Sequence, residues 1–328
     1  MWNYSFVLPD FLILLIFVIY YFIHPRLNSK LNHSFLQVLL ADFFVILSDI
    51  VASLALENPS HFSPFILRLL NVLYFILFMF RIFSFFIFTE DVIGIRRNKK
   101  SPVYILANII FATFETIALI NIFCDTIFSI SPSGEYSRTS FYNIIYVCAA
   151  FYLILSLGCI LHYRKRISRS FKIPVLAFNL VMIAGYISRF AFPRYLIMNL
   201  FTLLAIVIIF ISYENPIMYL AGKANAFNKK AMFAVFNEID PKRPPLVLGF
   251  VINNYNELRE IYSGTQMDKG IQLICQYLAK TYPNLQRFYL HDGRFVLVGG
   301  DKAHAEKIKD VLTERFKRAW SAGNEAEL

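Results

Sequence analysis

Charge is what this chain has least of. Of its 328 residues only 16% are Asp, Glu, Lys or Arg, while 57% are hydrophobic and 17% aromatic, and the mean hydropathy is +0.54. Such a balance excludes an ordinary water-soluble protein, which carries roughly a quarter charged residues. Cysteine is scarce as well. Cys124, Cys148, Cys159 and Cys275 follow no metal-ligand or redox spacing. That leaves free, buried thiols, with a Cys124–Cys148 pair near one membrane face as the alternative. No basic stretch precedes the first apolar run and no small-residue cleavage site follows it, so the run reads as a retained helix and not a signal peptide. Also missing are Gly- or Pro-broken half-helices in matching positions, the pattern that marks midplane sites in many transporters.

In place of charge the chain has long apolar runs. Seven spans are expected, at 6–23, 35–56, 65–88, 103–127, 142–162, 173–192 and 195–213. Each approaches or exceeds the roughly 20 residues needed to cross about 30 Å of hydrocarbon as a helix. The connecting segments set an orientation. Arg26 and Lys30 follow the first span, Arg96, Arg97, Lys99 and Lys100 the third, and Arg164, Lys165, Arg166, Arg169 and Lys172 the fifth. The alternate loops are poor in base: 57–64 has none, the loop around 131–140 has Arg138, and the sixth connection has Arg194. Short Lys/Arg-rich loops stay on the cytoplasmic side, so the N-terminus is expected outside and the C-terminus inside. The formal charge of +10 is then accounted for by contact with the anionic inner leaflet, and no nucleic-acid partner is needed.

Ionisable groups inside such runs are costly and turn toward partners in the bundle. Asp42 and Asp49 lie seven apart on one helix face, and Arg81 and Glu115 fall at similar depth, so Arg81 is expected to pair with Asp42 or with Glu115. Asn71, Asn108, Asn179 and Asn199 supply further groups able to join helices. This cluster reads either as a pocket that senses a small ligand or protons, or as a structural device that sets helix register. A seven-helix receptor of the G-protein-coupled kind would suit the array, but that family's motifs do not occur.

Beyond 213 the composition changes. An amphipathic stretch runs to about 239, and Asp240 to Pro245 is a turn because consecutive prolines cannot continue a helix. Leu246 to Ile252 is a continuous apolar run, expected as a buried central strand. Helical stretches follow, the second from about 268 to 282, with a last amphipathic helix at 303–320. Between these lies 285–298, two β-prone runs around His291, Asp292, Gly293 and Arg294. An Asp-Gly pair between such runs signals a hairpin, since Gly accepts φ > 0 at the turn. Its tip is a ligand-holding candidate or a plain solvated turn.

The hairpin resembles the signature of the GGDEF family, the diguanylate cyclase domain of bacterial cyclic-di-GMP signalling. In that register His291, Asp292, Gly293, Arg294 and Phe295 stand at Gly-Gly-Asp-Glu-Phe, and only the Phe is kept. Ala221 to Lys229 stands at the family's opening Asp-x-Leu-Thr-Gly-Leu-x-Asn-Arg, keeping Asn228 with Lys229 for the Arg. In the intervening block Val251 and Asn253 occupy the two Asp positions, the first of them a metal ligand in active members. Tyr255 and Leu258 fit the Phe and Ile, Arg259 replaces the guanine-contacting Asn, Ser263 and Gly264 stand for Gly-His, and Asp268 matches the guanine-binding Asp. No Arg-x-x-Asp inhibitory site precedes the hairpin, where Tyr282 and Leu285 stand.

The resemblance covers the last third of the chain and implies a multi-domain architecture. A seven-helix α-helical transmembrane bundle (1–213) is followed by a short junction (214–219) and an α/β, nucleotidyl-cyclase-type cytoplasmic domain (220–328). It also implies that the family's final strands, and the EAL phosphodiesterase domain commonly fused behind degenerate members, lie beyond Leu328. Val251, Gly293 and Arg294 fill positions that should carry carboxylates, so the Mg²⁺ site is expected to be lost and no cofactor is expected. The implied role is regulatory, in a bacterial inner membrane: GTP or another nucleotide bound through Arg259 and Asp268, a homodimer, or a relay to a fused or separate EAL or GGDEF partner. An active cyclase and a structural scaffold are the alternatives.

Overall fold

The computed structural model describes residues 7–94, 101–165, 167, 169–191, 197–215, 218–222, 226–240, 242–300 and 304–320. Arg96, Arg97, Lys99, Lys100, Arg166, Arg194, residues 223–225 of the domain-opening stretch and residues 321–328 lie outside them. The chain divides into two compact units, one of residues 1–23 and 33–214, the other of residues 24–32 and 215–328.

The first unit is built of helices α1 (Val7–Ile23), α2 (Lys30–Glu57, which begins in the other unit), α3 (Pro64–Ile93), α4 (Pro102–Ile120), α5 (Ile144–His162), α6 (Arg169–Ala191) and α7 (Met198–Ile209), the last continuing as a π turn, Phe210–Glu214. Five are long and apolar enough to cross a membrane: Lys30–Glu57, Pro64–Ile93, Pro102–Ile120, Ser140–His162 and Phe171–Arg189. Val7–Ile23 and Met198–Glu214 are shorter apolar helices.

Their outward faces are apolar, the reverse of a water-soluble bundle. On α5, Val147, Ile154 and Leu161 recur every seven residues and are 66%, 71% and 61% exposed. Ile173, Leu180 and Ile187 make the same stripe on α6. Large contiguous apolar surface of this kind belongs against lipid.

Start and stop signals delimit the helices. Ser63 caps α3 by accepting from Ile66 N at 3.3 Å, Pro64 occupies the first turn, and Gly94 ends the helix at φ 71°. Hydrogen bonds between helices then fix the packing. Gln37 Nε2 donates to Ser84 Oγ at 3.0 Å, Tyr152 Oη to Ala107 O at 2.5 Å, and Tyr186 Oη to Tyr146 O. Gly185 lets α6 approach α7 closely, for a Cβ there would lie 2.5 Å from Phe201 Cβ.

The fourth run is shorter than its apolar length suggests. α4 stops at Ile120, whereas the composition predicts helix to 127. Asn121 is the reason: its Oδ1 accepts from Thr126 N (2.9 Å), Ile127 N (2.6 Å) and Phe128 N (3.2 Å) and folds the chain into a turn. The apolar residues beyond are spent on a small antiparallel hairpin, β1 (Phe128–Ile130) with β2 (Tyr136–Arg138). Phe128 stacks between Phe75 of α3, at 5.5 Å, and Tyr136, at 5.3 Å.

The second unit is an antiparallel sheet of β3 (Val247–Val251), β4 (Gln286–Tyr289) and β5 (Arg294–Val298), in the order β3-β5-β4, with α8 (Lys229–Glu238), α9 (Tyr255–Ile261), α10 (Gly264–Thr281) and α11 (Ala305–Phe316). Alternation along the strands divides its two faces. Tyr289, Phe295 and Leu297 face Met267, Ile271, Ile274 and Leu278 of α10 and Leu312 of α11. Phe288 and Val298 face the other way, onto Ala231, Met232 and Val235 of α8 and onto Leu27. Lys30 N donates to Glu238 Oε2 at 2.7 Å in the same unit.

β3 departs from its expected place. Read as a buried central strand, it lies at the edge of the three described strands, with Val247 and Val251 exposed. An unbroken apolar run does not say which of its two edges is paired.

Candidate functional site

Among the described residues of the first unit, the largest fully buried side chain is a cation. Arg81 of α3 is closed to solvent, and its Nη1 donates to Asp42 Oδ1 of α2 at 2.9 Å and to Asn199 Oδ1 of α7 at 3.1 Å. Asn199 Nδ2 reaches Asp49 Oδ2 at 3.5 Å, so of two carboxylates seven residues apart on one face of α2, Asp42 is tied to the guanidinium directly and Asp49 through the Asn199 amide. Arg81 also lies 4.8 Å from the centroid of the Phe78 ring. Three helices therefore meet at this cluster, and its apolar surroundings strengthen every interaction in it.

Of the two partners open to Arg81 in sequence, the structure selects Asp42. Glu115 forms no ion pair with it; its Oε1 is buried without a hydrogen-bond partner on α4. The asparagines also divide. Asn71, Asn108 and Asn179 donate to Leu67 O, Tyr104 O and Val175 O, each in its own helix, and only Asn199 joins helices. An amide one turn from a free carbonyl satisfies itself locally, and nothing in the spacing distinguishes the two uses.

Arg81, Asn199 and Asp49 line an inner cavity of about 40 Å³, together with Tyr146, Tyr186 and Arg189. An outer cavity of about 850 Å³ shares Asp49, Tyr74, Tyr142 and Arg189 as walls and extends to Glu57, Glu135 and Arg138. Arg138 lies 4.5 Å from the centroid of the Tyr142 ring. Arg189 and the tyrosines are not among the residues that stand out in the sequence. A signal for Arg189 was present, a guanidinium inside the apolar run 173–192; tyrosines among so many aromatics carry none.

In the second unit the hairpin tip forms as its sequence predicts. His291, Asp292 and Gly293 turn with φ of 71°, 50° and 69°, closed by Leu290 N to Arg294 O at 2.9 Å and Arg294 N to His291 O at 3.0 Å. His291, Asp292 and Arg294 are exposed, while Phe295 is buried and stacks on Phe250 at 5.0 Å. Gly293 is enclosed: a Cβ there would fall 2.9 Å from Tyr255 Cδ2 and 3.0 Å from Ile252 Cβ. Burial, together with the hydrogen bond to Tyr255, pushes the Tyr289 hydroxyl well above the usual tyrosine range. Arg259 and Asp268, on α9 and α10, are exposed, and neither is bonded to the hairpin.

These residues do not fit the Mg²⁺ that the resemblance implies. Val251 pairs directly with Arg294 across the β3–β5 ladder, which sets a hydrocarbon beside a cation where hard oxygen donors are needed. The four cysteines are free, and Cys124 is exposed instead of buried, because the turn after Asn121 carries it clear of the bundle. No protein-family model and no curated protein matches the chain.

Proposed function

We propose that this chain is a multi-pass signalling protein of the bacterial plasma membrane, with an extracytoplasmic sensing cavity and a cytoplasmic GGDEF-like unit that regulates without catalysing. The observation that carries the reading is the Arg81 cluster beside a small cavity that shares Asp49, Tyr74, Tyr142 and Arg189 with a wide one. A register device accounts for the Arg81–Asp42 pair alone; it gives no reason for the cavities beside it. The two shorter apolar helices, each about 25 Å long at 1.5 Å per residue, bring the membrane helices to seven. The basic residues after the first, third and fifth support a cytoplasmic side for the sheet unit.

In the cyclic-di-GMP type of system, the second unit serves as a nucleotide-binding or dimerisation module, its partners a second copy or an EAL or GGDEF domain. Exchange of carboxylates for Val251, Gly293 and Arg294 supports regulation over turnover. Reporter fusions test the arrangement, with a fusion at Ser133 expected to behave as extracytoplasmic and one after Asn215 as cytoplasmic. The reverse pattern overturns it. Titrating GTP against the full chain in nanodiscs tests the second unit; saturable binding supports a nucleotide module, and silence leaves dimerisation as its role.

A further inference from the structure

Asp10 of α1 and Asp42 of α2 are 2% and 0% exposed, and Oδ2 of each is buried without a hydrogen-bond partner. Helix register brings the two together: the residues that follow them, Phe11 and Phe43, stack at 5.3 Å, and Asp10 lies within electrostatic reach of Asp42. Nearby donors are spent elsewhere. Thr202 of α7 neighbours Asp42 but donates its hydroxyl to Asn199 O at 2.8 Å, and the Asn199 amide goes to Asp49. Arg81 pairs with Asp42, and among the described residues no cation lies within ion-pair distance of Asp10. α7 carries no ionisable residue of its own. The cluster thus sets Asp10, Asp42 and Asp49 against Arg81 and Arg189, three carboxylates to two guanidiniums. Neighbouring carboxylates in a low-dielectric interior do not both ionise without a counter-charge. A proton needs no cavity, whereas a metal ion needs several donors, and no group of three His, Cys, Asp or Glu among the described residues could hold one.

We infer that Asp10 and Asp42 hold one proton between them, with Asp10 as its carrier, and that release of this proton is the input that the first unit reads. This names the input of the sensing unit proposed above and rests on that reading. The step is an ionisation: the O–H bond of the Asp10 acid breaks, its electron pair stays on the carboxylate and the proton leaves to water. Asp10 stands in the first turn of α1, the end that the proposed topology turns outward. α1 leans on the bundle through rings, Tyr21 with Phe35 at 5.9 Å and Phe17 with Phe210 at 5.1 Å, while Leu8, Leu12 and Ile16 are exposed on its other side. Two ionised carboxylates repel across α1 and α2. α1 ends at Ile23 and the chain passes at once into residues 24–32, which belong to the second unit, so a shift of α1 is carried there covalently.

The test uses the full chain in nanodiscs and reads the infrared C=O stretch of a protonated carboxylic acid at neutral pH. The unmodified chain is expected to show a band that shifts in D₂O and fades as pH rises. Asp10→Asn, which keeps the shape of the neutral acid, is expected to lose that band; Asp10→Ser serves where the amide does not fold. By linkage the variant and the unmodified chain should have similar thermal midpoints at low pH, and the variant the higher one as pH rises, because only the unmodified site then gains a charge. Amide exchange at 24–32 should respond to the same pH step in the unmodified chain and not in the variant. Absence of the band from the unmodified chain, its survival in either Asp10 variant, or an identical pH response of both chains at 24–32 overturns the inference. So does loss of the band when Na⁺ replaces choline at fixed pH, which marks a metal-ion site instead. Absence of the band with Ser133 extracytoplasmic discards the proton and keeps the membrane arrangement. A reversed topology discards the arrangement whatever Asp10 holds.

Discussion

Arg81 Nη1 and Asp42 Oδ1 meet at 2.9 Å across α3 and α2, with the two side chains 1% and 0% exposed. Removing one partner strands the other in a low-dielectric interior. Arg81→Ala is therefore expected to destabilise the first unit by about 3–5 kcal/mol. The double variant Arg81→Met with Asp42→Leu is expected to recover most of the loss, because neither side then buries an unpaired charge. Equilibrium denaturation of the full chain in detergent checks both, and an unchanged midpoint in Arg81→Ala removes the pair from the stability account.

Gly293 is held at φ 69°, with Tyr255 Cδ2 only 2.9 Å from where a Cβ would stand. Left-handed backbone costs an L residue about 1–2 kcal/mol, and the contact adds to it. Gly293→Ala is expected to lose about 2 kcal/mol or more and to speed amide exchange across 290–294. Asp292→Gly, at an exposed positive-φ position, is expected to be neutral or slightly stabilising in the same measurement.

Cys275 and Cys124 are expected to differ in reactivity. Burial pushes the Cys275 thiol up to about 12, opposed by Arg287, while Cys124 is exposed in the turn after α4. The thiolate is the nucleophile, so at pH 8 iodoacetamide should modify Cys124 in the folded chain and reach Cys275 only after unfolding. The raised thiol also gives a pH dependence. The folded state holds its proton where the unfolded one releases it, so stability is full below about pH 9 and falls as pH rises toward 12. Cys275→Ala should flatten that part of the curve, and rapid native labelling at Cys275 refutes the buried site.

The apolar helices are legible because a lipid-facing residue and a buried one are both apolar, so composition alone marks the run. For the same reason composition misplaces an end. Ile127 and Phe128 are as apolar as any span residue, yet Asn121 turns them into the β1–β2 hairpin. The cluster is legible in part. Asp42, Asp49 and Arg81 stand out as ionisable groups in hydrocarbon, but depth counting leaves Asp42 and Glu115 equal as partners, and only the packing of α2 on α3 separates them. In the sheet unit the Asp-Gly turn is local chemistry and forms as read. The place of β3 at an edge depends on which strands pair, and that information is not local.

The last expectation concerns GTP. The full chain in nanodiscs, given labelled GTP with Mg²⁺ or Mn²⁺, should form no cyclic-di-GMP above a no-protein blank. Phosphoryl transfer depends on carboxylate-held metal to position the triphosphate and spread its charge, and these contributions make up nearly all of the rate. Here Val251 and Arg294 face each other in the ladder and Gly293 closes the turn, so three carboxylate positions of the proposed register are empty of oxygen donors. Restoring them as Val251→Asp, Gly293→Asp and Arg294→Glu should not revive the reaction. The Gly293 position rejects any Cβ through Tyr255 and Ile252, so the triple variant is expected to disturb the hairpin before it assembles a metal site. In the proposed register Arg259 stands at the guanine-reading Asn, a further obstacle. Product from the unmodified chain refutes the register placed on the hairpin, because no rearrangement of these three residues supplies the missing donors.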